Sequence, residues 1–456
     1  MTSKRAIIVG GGISGLALAY FLQRAGVMVT LVERAARTGG VIRTSRSDGF
    51  MVEHGPNSTL HKPGDEADAL GRLMEALALQ PRVANATASR RYVQKSGRLW
   101  PLPGSPGDFL RTPLFSPWAK LRLLSEPFHA RAPEEESVAA FVRRRLGQEF
   151  LDWAIDPFVS GVYAGDPGSL SIRAAVPKIY ALEARHGSLI RGALAMRQQG
   201  RISGMPKGRL ISFDEGMEGL VATLRSRLVD SGANQVRIVT GVRDLDLVPS
   251  GSGEWAVQGS DGLTVRGDGV FLAIPANEAA RLLRPLSTAA ADDLAGIRHA
   301  PVVSMALGFD RDQVGHPLDG FGFLVPGREA MELLGCLFSS TLFPGRATAG
   351  QVLLTTFVGG MRHPTVAHRG EEELVAGVIA GLARALAIRG DPKFVQITRY
   401  EGAIAQYELG HLARLDRIHQ ALEPWPGLSL CGNYLGGVSV ADRVRNSELL
   451  ARGWVA

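Results

Sequence analysis

Residues 5–33 read RAIIVGGGISGLALAYFLQRAGVMVTLVE, and this stretch decides the fold. The apolar run 5–9 predicts a short strand that is buried on both faces. Residues 14–25 have the apolar spacing of a helix, and residues 27–32 predict a second strand. The order strand, helix, strand predicts the first unit of a parallel sheet with helices packed on its faces.

The turn between the first strand and the helix carries the pattern Gly10-x-Gly12-x-x-Gly15. One glycine allows the tight turn, one lets the backbone approach a pyrophosphate, and one allows the helix to pack closely on the strand. Glu33 ends the second strand, where a carboxylate accepts hydrogen bonds from a ribose with a free 2′-hydroxyl. The turn therefore predicts an adenine dinucleotide site and leaves NAD and FAD open.

The residues after Glu33 favour FAD. They include Arg37, the pair Gly39-Gly40, Arg43 and Thr44, and the segment resembles the extended fingerprint of amine-oxidase-like FAD proteins. A second glycine pair lets another loop approach the nucleotide, while Arg37 or Arg43 either neutralises pyrophosphate charge or lies in solvent. The FAD contacts that the resemblance implies are Gly10, Gly12, Ile13, Ser14, Gly15, Glu33, Arg34, Gly39, Gly40, Arg43, Thr44, Gly55, Pro56, Asn57, Gly432, Asn433 and Val438.

Residues 428–442 have the pattern strand, glycine turn, helix, and they resemble the C-terminal flavin element of the same superfamily. In that element a helix N-terminus points at the pyrimidine end of the isoalloxazine. Its positive end stabilises the negative charge of reduced flavin near N1 and O2. Asn433 stands where many relatives have an acidic residue, so its contact stays open.

Four more motifs narrow the resemblance to the protoporphyrinogen oxidase family: 160–165 (SGVYAG), 170–173 (LSIR), 320–326 (GFGFLVP) and 405–411 (AQYELGH). With the flavin elements they cover nearly the full chain in that family's order. The resemblance implies oxidation of protoporphyrinogen IX to protoporphyrin IX in haem biosynthesis. Flavin N5 takes the hydride, oxygen is the final acceptor, and peroxide is the by-product.

The family pattern also implies a substrate cleft. Leu324, Leu337 and Phe357 fall at the spacing of side chains that sandwich the substrate rings above the flavin. Gly161 and Ala164 match a loop that lines the opposite wall. A porphyrinogen has broad apolar rings, so flat aliphatic and aromatic surfaces suit it.

Arg91 matches the cation that faces a ring propionate, and Phe321 and Gly322 adjoin the same wall. No Ser/His/Asp, Cys/His or carboxylate pair presents itself as a catalytic group, and we name no general base. Tyr407 and His411 are candidates for assisting catalysis, but structural roles are favoured for both. Positioning of the substrate is expected to suffice.

Three alternatives to this function stay open. One is oxidation of coproporphyrinogen III to coproporphyrin III, which the region around Arg91 does not separate from the first reaction. Another is a flavin amine oxidase, which requires a cage of aromatic residues rather than a cation. A different class is a non-catalytic tetrapyrrole-binding flavoprotein.

The predicted fold is α/β with three parts. Residues 1–60, 206–280 and 401–456 form a Rossmann-type FAD-binding domain, and residues 61–89 and 281–400 form a mixed-sheet substrate-binding domain. Residues 90–205 form a mainly helical insert. Its stretch 99–128 is rich in proline, tryptophan and phenylalanine, and predicts either interfacial membrane contact or a crossing of short buried helices.

The charge and cysteine content of the chain limit the kinds of partner it is expected to bind. The chain has 456 residues and a formal charge of +7, with 51 Lys and Arg against 44 Asp and Glu. These cations are scattered and accompany no DNA-reading motif, which argues against nucleic-acid binding. Two cysteines favour a reducing, cytoplasmic location, with the inner face of the cell membrane as an alternative, and no metal-ligand pattern exists. The family resemblance, rather than the composition, implies hand-over of the product to a ferrochelatase, and the expected state is a monomer or homodimer.

Overall fold

The computed structural model of the protein describes residues 4–65, 68–198, 208–230, 235–250, 253–329 and 331–456. Its strands are β1 Arg5–Val9, β2 Met28–Glu33, β3 Thr44–Ser47, β4 Phe50–Glu53, β5 Thr59–His61, β6 Arg82–Val83, β7 Arg90–Lys95, β8 Arg98–Pro101, β9 Arg209–Ser212, β10 Val236–Thr240, β11 Asp246–Pro249, β12 Trp255–Gln258, β13 Thr264–Gly267, β14 Gly269–Leu272, β15 His299–Asp310, β16 Gly320–Leu324, β17 Leu333–Leu337, β18 Gln351–Gly359, β19 Phe394–Ala405 and β20 Leu428–Leu430.

The α-helices over the same residues are α1 Ile13–Arg24, α2 Ala69–Ala76, α3 Pro106–Arg111, α4 Pro117–Arg122, α5 Val138–Arg145, α6 Gln148–Phe150, α7 Asp156–Tyr163, α8 Ile172–Ala175, α9 Pro177–His186, α10 Leu189–Gln198, α11 Glu218–Asp230, α12 Ala276–Leu283, α13 Thr288–Ala295, α14 Ser339–Leu342, α15 Glu371–Leu386, α16 His411–Leu422 and α17 Val440–Val455. Short 3-10 turns lie at Ala86–Ser89, Leu123–Phe128, Arg311–Gln313 and Pro364–His368, and a π-helical turn spans Leu151–Ile155.

A parallel five-stranded sheet forms the nucleotide unit, with the order β10-β2-β1-β14-β20. Successive side chains alternate between its faces, so Ile8 and Phe271 join a core with α1, α11 and α17. Ile7 and Val9 join a different core that includes the antiparallel sheet β11-β12-β13. Both faces are covered, as the apolar first strand predicted, and the α/β class is confirmed.

A mixed seven-stranded sheet forms the second unit, with the order β19-β15-β18-β17-β16-β7-β8. One of its faces carries Met305, Leu354 and Cys336, which pack with the apolar side chains of α15 in a single core. The opposite face carries the half-buried Phe357 and Leu337, while Leu353 on the same face is buried against Phe50. That second face is therefore the one left to meet a ligand or another part of the chain.

The structure corrects the predicted start of the helical insert. Residues 90–101 form the hairpin β7–β8 at the edge of the seven-stranded sheet, where β7 pairs in parallel with β16. A turn at Ser96-Gly97, with φ values of 53° and 74°, joins the two strands. The helical part begins at α3 and runs to α10. Arg91 therefore lies on a strand of the seven-stranded sheet and not in a helix.

Two other predicted boundaries differ from the structure. Helix α2 lies within 61–89 but packs in the same core as α1 and α17 of the nucleotide unit. Strand β19 extends the seven-stranded sheet to Ala405, past the predicted boundary at 400. The predicted boundary at 205–206 lies outside the described residues, and the remaining domain limits stay predictions. No helix in the described ranges is long and apolar enough to span a bilayer.

Candidate functional site

The glycine turn holds β1, α1 and β14 in close contact. Gly10 has a φ of 105° and its N–H donates to Val32 O at 2.8 Å. A Cβ at position 15 would lie 1.9 Å from Gly10 O, so only glycine fits there. Gly12 begins α1 without a side-chain cap. The N–H groups of the first turn, which includes Ile13 and Ser14, remain available for an anion.

Glu33 lies against this turn. Its Oε2 accepts the N–H of Gly11 at 2.6 Å and its Oε1 accepts the N–H of Ala35 at 2.7 Å. The carboxylate is thereby held beside the start of α1. Arg34 has a different environment, because its guanidinium is 69% exposed and pairs with Glu278 at 3.3 Å.

The loop 37–44 packs on the glycine turn. Gly39 N–H donates to Gly11 O at 2.7 Å, and a Cβ at position 40 would lie 3.1 Å from the Gly12 Cα. Arg37 donates to the carbonyls of Thr38, Gly40 and Ile42, so it shapes the loop. The sequence did not decide whether Arg37 or Arg43 lies in solvent. In the structure the Arg37 guanidinium is bonded to its own loop, whereas Arg43 is exposed.

Thr44 continues from this loop into the second unit. Its hydroxyl donates to Glu53 at 2.7 Å, and Glu53 pairs with Arg346 at 2.6 Å. Both partners of this ion pair are buried, and burial raises the pKa of Glu53 although Arg346 opposes that shift. A cavity of about 10 Å³ adjoins the pair and is lined in part by Asn57. Its size suits one water molecule.

His54 connects β3 to β19 of the seven-stranded sheet. One ring nitrogen lies 2.9 Å from Thr398 Oγ1 on β19, and the other lies 2.9 Å from Ser45 Oγ. Burial, together with Arg43 and Arg37, lowers the pKa of His54, so the ring is neutral between two hydroxyls. The predicted FAD contacts Gly55, Pro56 and Asn57 follow His54 directly in the chain. The two side-chain bonds of His54 therefore fix the position at which this segment begins.

The C-terminal loop 432–437 is held by side chains that lie outside it. The Tyr407 hydroxyl donates to Asn433 O at 2.7 Å and accepts the N–H of Gly437 at 2.9 Å. His411 stacks on Tyr407 at 4.5 Å between ring centroids, and its Nε2 lies 3.0 Å from Tyr434 O. Tyr407 and His411 therefore have structural contacts, as favoured from the sequence.

Arg443 also holds this loop, through bonds to the carbonyls of Gly432 and Leu435. The sequence analysis missed it, although an arginine within the apolar face of a helix that also contains Val440 and Val444 is a signal of a buried partner. The predicted contact Val438 lies between the loop 432–437 and Ser439. Ser439 caps the N-terminus of α17 together with Asp442.

These elements fit a flavin dinucleotide. The glycine turn, the uncapped start of α1 and the Glu33 carboxylate lie side by side. The loop 432–437, which side chains outside it hold in place, leads into the N-terminus of α17. These are the groups that phosphates, a ribose and a reduced flavin ring require. The individual residue assignments remain predictions.

The register of the seven-stranded sheet places most of the predicted substrate residues on one face. Gly322 pairs with Arg91 and with Leu337, while Gly335 pairs with both Leu324 and Phe357. Paired residues and residues two apart share a face. Arg91, Gly322, Leu324, Leu337 and Phe357 therefore all lie on the face opposite α15, the same face that His54 meets at Thr398.

A β-bulge brings Phe321 to the same region. The ladder between β16 and β7 shifts at Gly320/Gly322, which leaves Phe321 as the extra residue. Phe321 and Leu337 pack against the same small buried cluster, and the Arg91 guanidinium lies 5.3 Å from the centroid of the Phe321 ring. A Cβ at position 322, where φ is 144°, would lie 2.1 Å from Cys336 O, so glycine is required at the bulge.

Helix α7 faces this wall. A Cβ at Gly161 would lie 2.7 Å from Leu324 Cδ2, so the helix backbone touches the leucine side chain. Ala164 ends α7 in the left-handed region at φ 46°, shares a small apolar cluster with Phe357, and accepts the N–H of Met361 at 2.7 Å. Phe158, which the sequence analysis missed, lies three residues before Gly161 on the same side of α7 and is 44% exposed.

Comparison with known proteins agrees with this arrangement. Residues 13–446 match the family of flavin containing amine oxidoreductases. A chloroplastic protoporphyrinogen oxidase of Oryza sativa subsp. japonica is 34% identical over 475 residues, which covers 98% of this chain and 87% of that protein. Coproporphyrinogen III oxidase of Bacillus subtilis (strain 168) is 28% identical over 459 residues, with 96% and 95% covered.

One solved structure is similar over its whole length. It is the crystal structure of a protein from Exiguobacterium sp. 255-15 that is named as a candidate protoporphyrinogen oxidase. The TM-score is 0.83 at 27% identity, with 100% of this chain and 99% of that chain covered. The whole arrangement of nucleotide unit, substrate sheet and insert is therefore shared with a known structure.

Proposed function

The chain belongs to the flavin containing amine oxidoreductase family, and we propose that it oxidises protoporphyrinogen IX to protoporphyrin IX with FAD as its cofactor. The proposed final acceptor is oxygen, which yields peroxide, and the proposed pathway is haem biosynthesis. The observation that carries the proposal is the common sheet face of Arg91, Gly322, Leu324, Leu337 and Phe357 opposite Gly161.

The chemistry of these residues suits a porphyrinogen. Leu324, Leu337 and Phe357 offer apolar surface to pyrrole rings, and the cation Arg91 stands at the edge of that surface for a propionate. Stacking on Phe321 limits the positions of the Arg91 guanidinium. Leu324 contacts the α7 backbone at Gly161, so this pair bounds the proposed space between the sheet and α7.

When bound, FAD supplies the hydride acceptor of the reaction. The protein's own part is orientation: the apolar wall holds the rings, Arg91 fixes one carboxylate, and the two walls exclude water from the reacting carbon. The Tyr407 hydroxyl and the Nε2 of His411 are bonded to backbone groups of the loop 432–437, and we assign neither residue a proton-transfer role. Pyrrole protons are therefore expected to leave through substrate-side water.

The test is turnover by the purified holoprotein. We would supply protoporphyrinogen IX, coproporphyrinogen III and a panel of amines in air, and follow porphyrin fluorescence and peroxide. The proposal expects porphyrin formation with stoichiometric peroxide. Turnover on amines alone would overturn it, and binding of a porphyrinogen under anaerobic conditions without flavin bleaching would favour the non-catalytic alternative.

Coproporphyrinogen III is the second candidate substrate. Its support is the Bacillus subtilis coproporphyrinogen III oxidase, whose alignment spans 96% of this chain and 95% of the relative. The two substrates differ in their number of carboxylates, and Arg91 serves one carboxylate in either case. The ratio of kcat/KM for the two porphyrinogens decides between them.

The proposal includes a cellular setting. We place the protein in the cytoplasm, with its insert at the inner face of the cell membrane, as a monomer or homodimer. Its product is an apolar porphyrin, and we propose direct transfer to a ferrochelatase. Co-purification of the two proteins and transfer rates measured with an excess of free porphyrin trap test that step.

A further inference from the structure

Two lysine side chains from different parts of the chain meet at one point. Lys178 lies in the first turn of α9, and Lys62 directly follows β5. Their ammonium groups lie within hydrogen-bonding reach of each other, with Lys178 exposed and Lys62 half-buried. Contact with Lys62 and partial loss of water lower the pKa of Lys178, although the charges of Asp442 and Asp65 oppose that shift. Two positive charges in contact repel each other, so this arrangement costs free energy unless an anion lies beside it.

No carboxylate in the described part of the chain neutralises this lysine pair, Lys62 and Lys178. Within those residues no ion pair joins either ammonium to an Asp or Glu oxygen. Two acidic side chains near the pair have other partners, because Asp68 pairs with His61 at 2.8 Å and Asp442 caps the N-terminus of α17. The lysine pair is therefore a positive site without a counter-charge of its own, which an anionic ligand complements.

The lysine pair lies where the insert meets the predicted flavin elements. Tyr163, at the end of α7, donates its hydroxyl to Ala175 O at 2.8 Å, and the N–H of Ser171 donates to Tyr407 O at 2.8 Å. These bonds hold α8 between α7, which faces the proposed substrate wall, and the tyrosine that positions the loop 432–437. Helix α9, which carries one of the two lysines, starts two residues after Ala175. An anion bound by the pair would therefore lie close to both α7 and the flavin loop.

We propose that Lys62 and Lys178 together bind a second carboxylate of the porphyrinogen, while Arg91 holds the first. Each ammonium has three N–H donors, and the two oxygens of a carboxylate accept one bond from each lysine. Both candidate substrates carry more than one carboxylate, and Arg91 serves one of them. The reduced flavin ring is the other anion at hand, but its charge appears only after hydride transfer, whereas a carboxylate is charged from the moment of binding. The inference rests on the proposed function, because it assigns a contact to the proposed substrate.

Porphyrin binding to the purified holoprotein tests this assignment. The probe is coproporphyrin III, a soluble porphyrin carboxylate, which is titrated against the parent protein and against Lys178→Met with porphyrin fluorescence as the readout. We expect a dissociation constant about two- to fivefold higher in the variant. This difference should shrink with added salt and should be absent for the methyl ester of the same porphyrin. Lys393→Met, which removes an exposed lysine paired with Asp310, is the matched control and should bind like the parent protein.

Two further measurements separate recognition of the carboxylate from a structural role. Thermal unfolding should show Lys178→Met at least as stable as the parent, because the change removes a contact between like charges. The loss of affinity in the double variant Lys62→Met/Lys178→Met should be smaller than the sum of the single losses, since both lysines bind one carboxylate. The losses in Lys178→Met and Arg91→Ala should instead be additive, since these residues bind different carboxylates.

Equal affinity of the parent protein and Lys178→Met, or the same loss of affinity for the methyl ester, would overturn the assignment and leave the proposed function intact. A fall in Tm that accompanies the loss of affinity would make the lysine structural. A shifted midpoint potential of the flavin with unchanged porphyrin affinity would assign the pair to the flavin. Both of these results also overturn the proposal. A holoprotein that binds no porphyrin would contradict the proposed function as well.

Discussion

Asp156 and Arg362 form an ion pair, 3.0 Å between Oδ2 and Nη1, that joins three elements of the predicted substrate wall. The same carboxylate oxygen accepts the N–H of Gly327 at 2.7 Å. Asp156 begins α7, Gly327 follows β16, and Arg362 follows β18, so the pair fixes the elements that carry Gly161, Leu324 and Phe357. At its other end α7 is tied to the segment after β18 through Ala164.

Asp156→Ala should therefore lower both stability and substrate affinity. The two side chains are 13% and 17% exposed, and removing one partner of a buried pair costs about 3–5 kcal/mol. We expect about 2–3 kcal/mol here, because some water reaches the pair, together with a raised KM and a smaller change in kcat. Urea unfolding and steady-state kinetics measure the two effects. Glu332→Gln, which breaks a more exposed pair with Arg369, should change stability much less than Asp156→Ala.

Arg91→Ala should weaken substrate use more than flavin retention. Arg91 is exposed in the absence of substrate, and an exposed Arg–carboxylate pair contributes about 0–1 kcal/mol, so kcat/KM should fall by about two- to fivefold. Arg90 is the matched control, because its guanidinium pairs with Asp319. Arg90→Ala should leave kcat/KM nearly unchanged. Equal losses of flavin and turnover in Arg91→Ala would show that the side chain is structural.

Glu33→Ala should lower the fraction of protein that carries FAD. The change removes the proposed ribose acceptor and leaves the N–H groups of Gly11 and Ala35 without their carboxylate. The ratio of flavin absorbance to protein absorbance after gel filtration measures the fraction of protein that carries FAD.

Arg34→Ala tests the prediction that Arg34 also contacts FAD. If Arg34 binds only Glu278, as the geometry of that pair suggests, flavin content will not change.

The glycine turn was predictable because its constraints are local: three glycines at fixed spacing serve one strand and one helix. The hairpin 90–101 was not predictable in the same way. Its ladder partner Gly320–Leu324 lies far along the chain, and the nearby prolines suggested that the insert had already begun. The residues predicted for the substrate wall came from the resemblance and stay predictions. The bulge that places Phe321 beside Arg91 was not predictable, because it depends on register across two strands.

The helical insert should lose stability in acid through Glu126. Burial raises the pKa of Glu126, but hydrogen bonds from Ser188, Leu189 and Ile190 and the charge of Arg145 outweigh burial and hold the pKa below its ordinary value. The stabilisation is therefore present above the unfolded pKa of about 4.3 and is lost as pH falls through the folded pKa.

Urea unfolding of the holoprotein at a series of pH values between neutral and acid checks this expectation. Glu126→Gln should be less stable than the parent at neutral pH and should show a flatter decline toward acid. Glu372→Gln, an exposed residue in the first turn of α15, controls for the loss of a surface carboxylate. An unchanged acid slope in Glu126→Gln would contradict the assignment.

Gly161→Ala should separate stability from substrate binding. Alanine is favoured over glycine inside a helix by about 1 kcal/mol, so α7 should become no less stable. Yet the added methyl group meets Leu324 Cδ2 at 2.7 Å and pushes that flexible side chain toward the space proposed for a pyrrole ring. We expect a several-fold higher KM with unchanged flavin content. The double variant Gly161→Ala/Leu324→Val restores the room and should recover much of the KM, whereas additive losses in this cycle would show that the two residues do not share one wall.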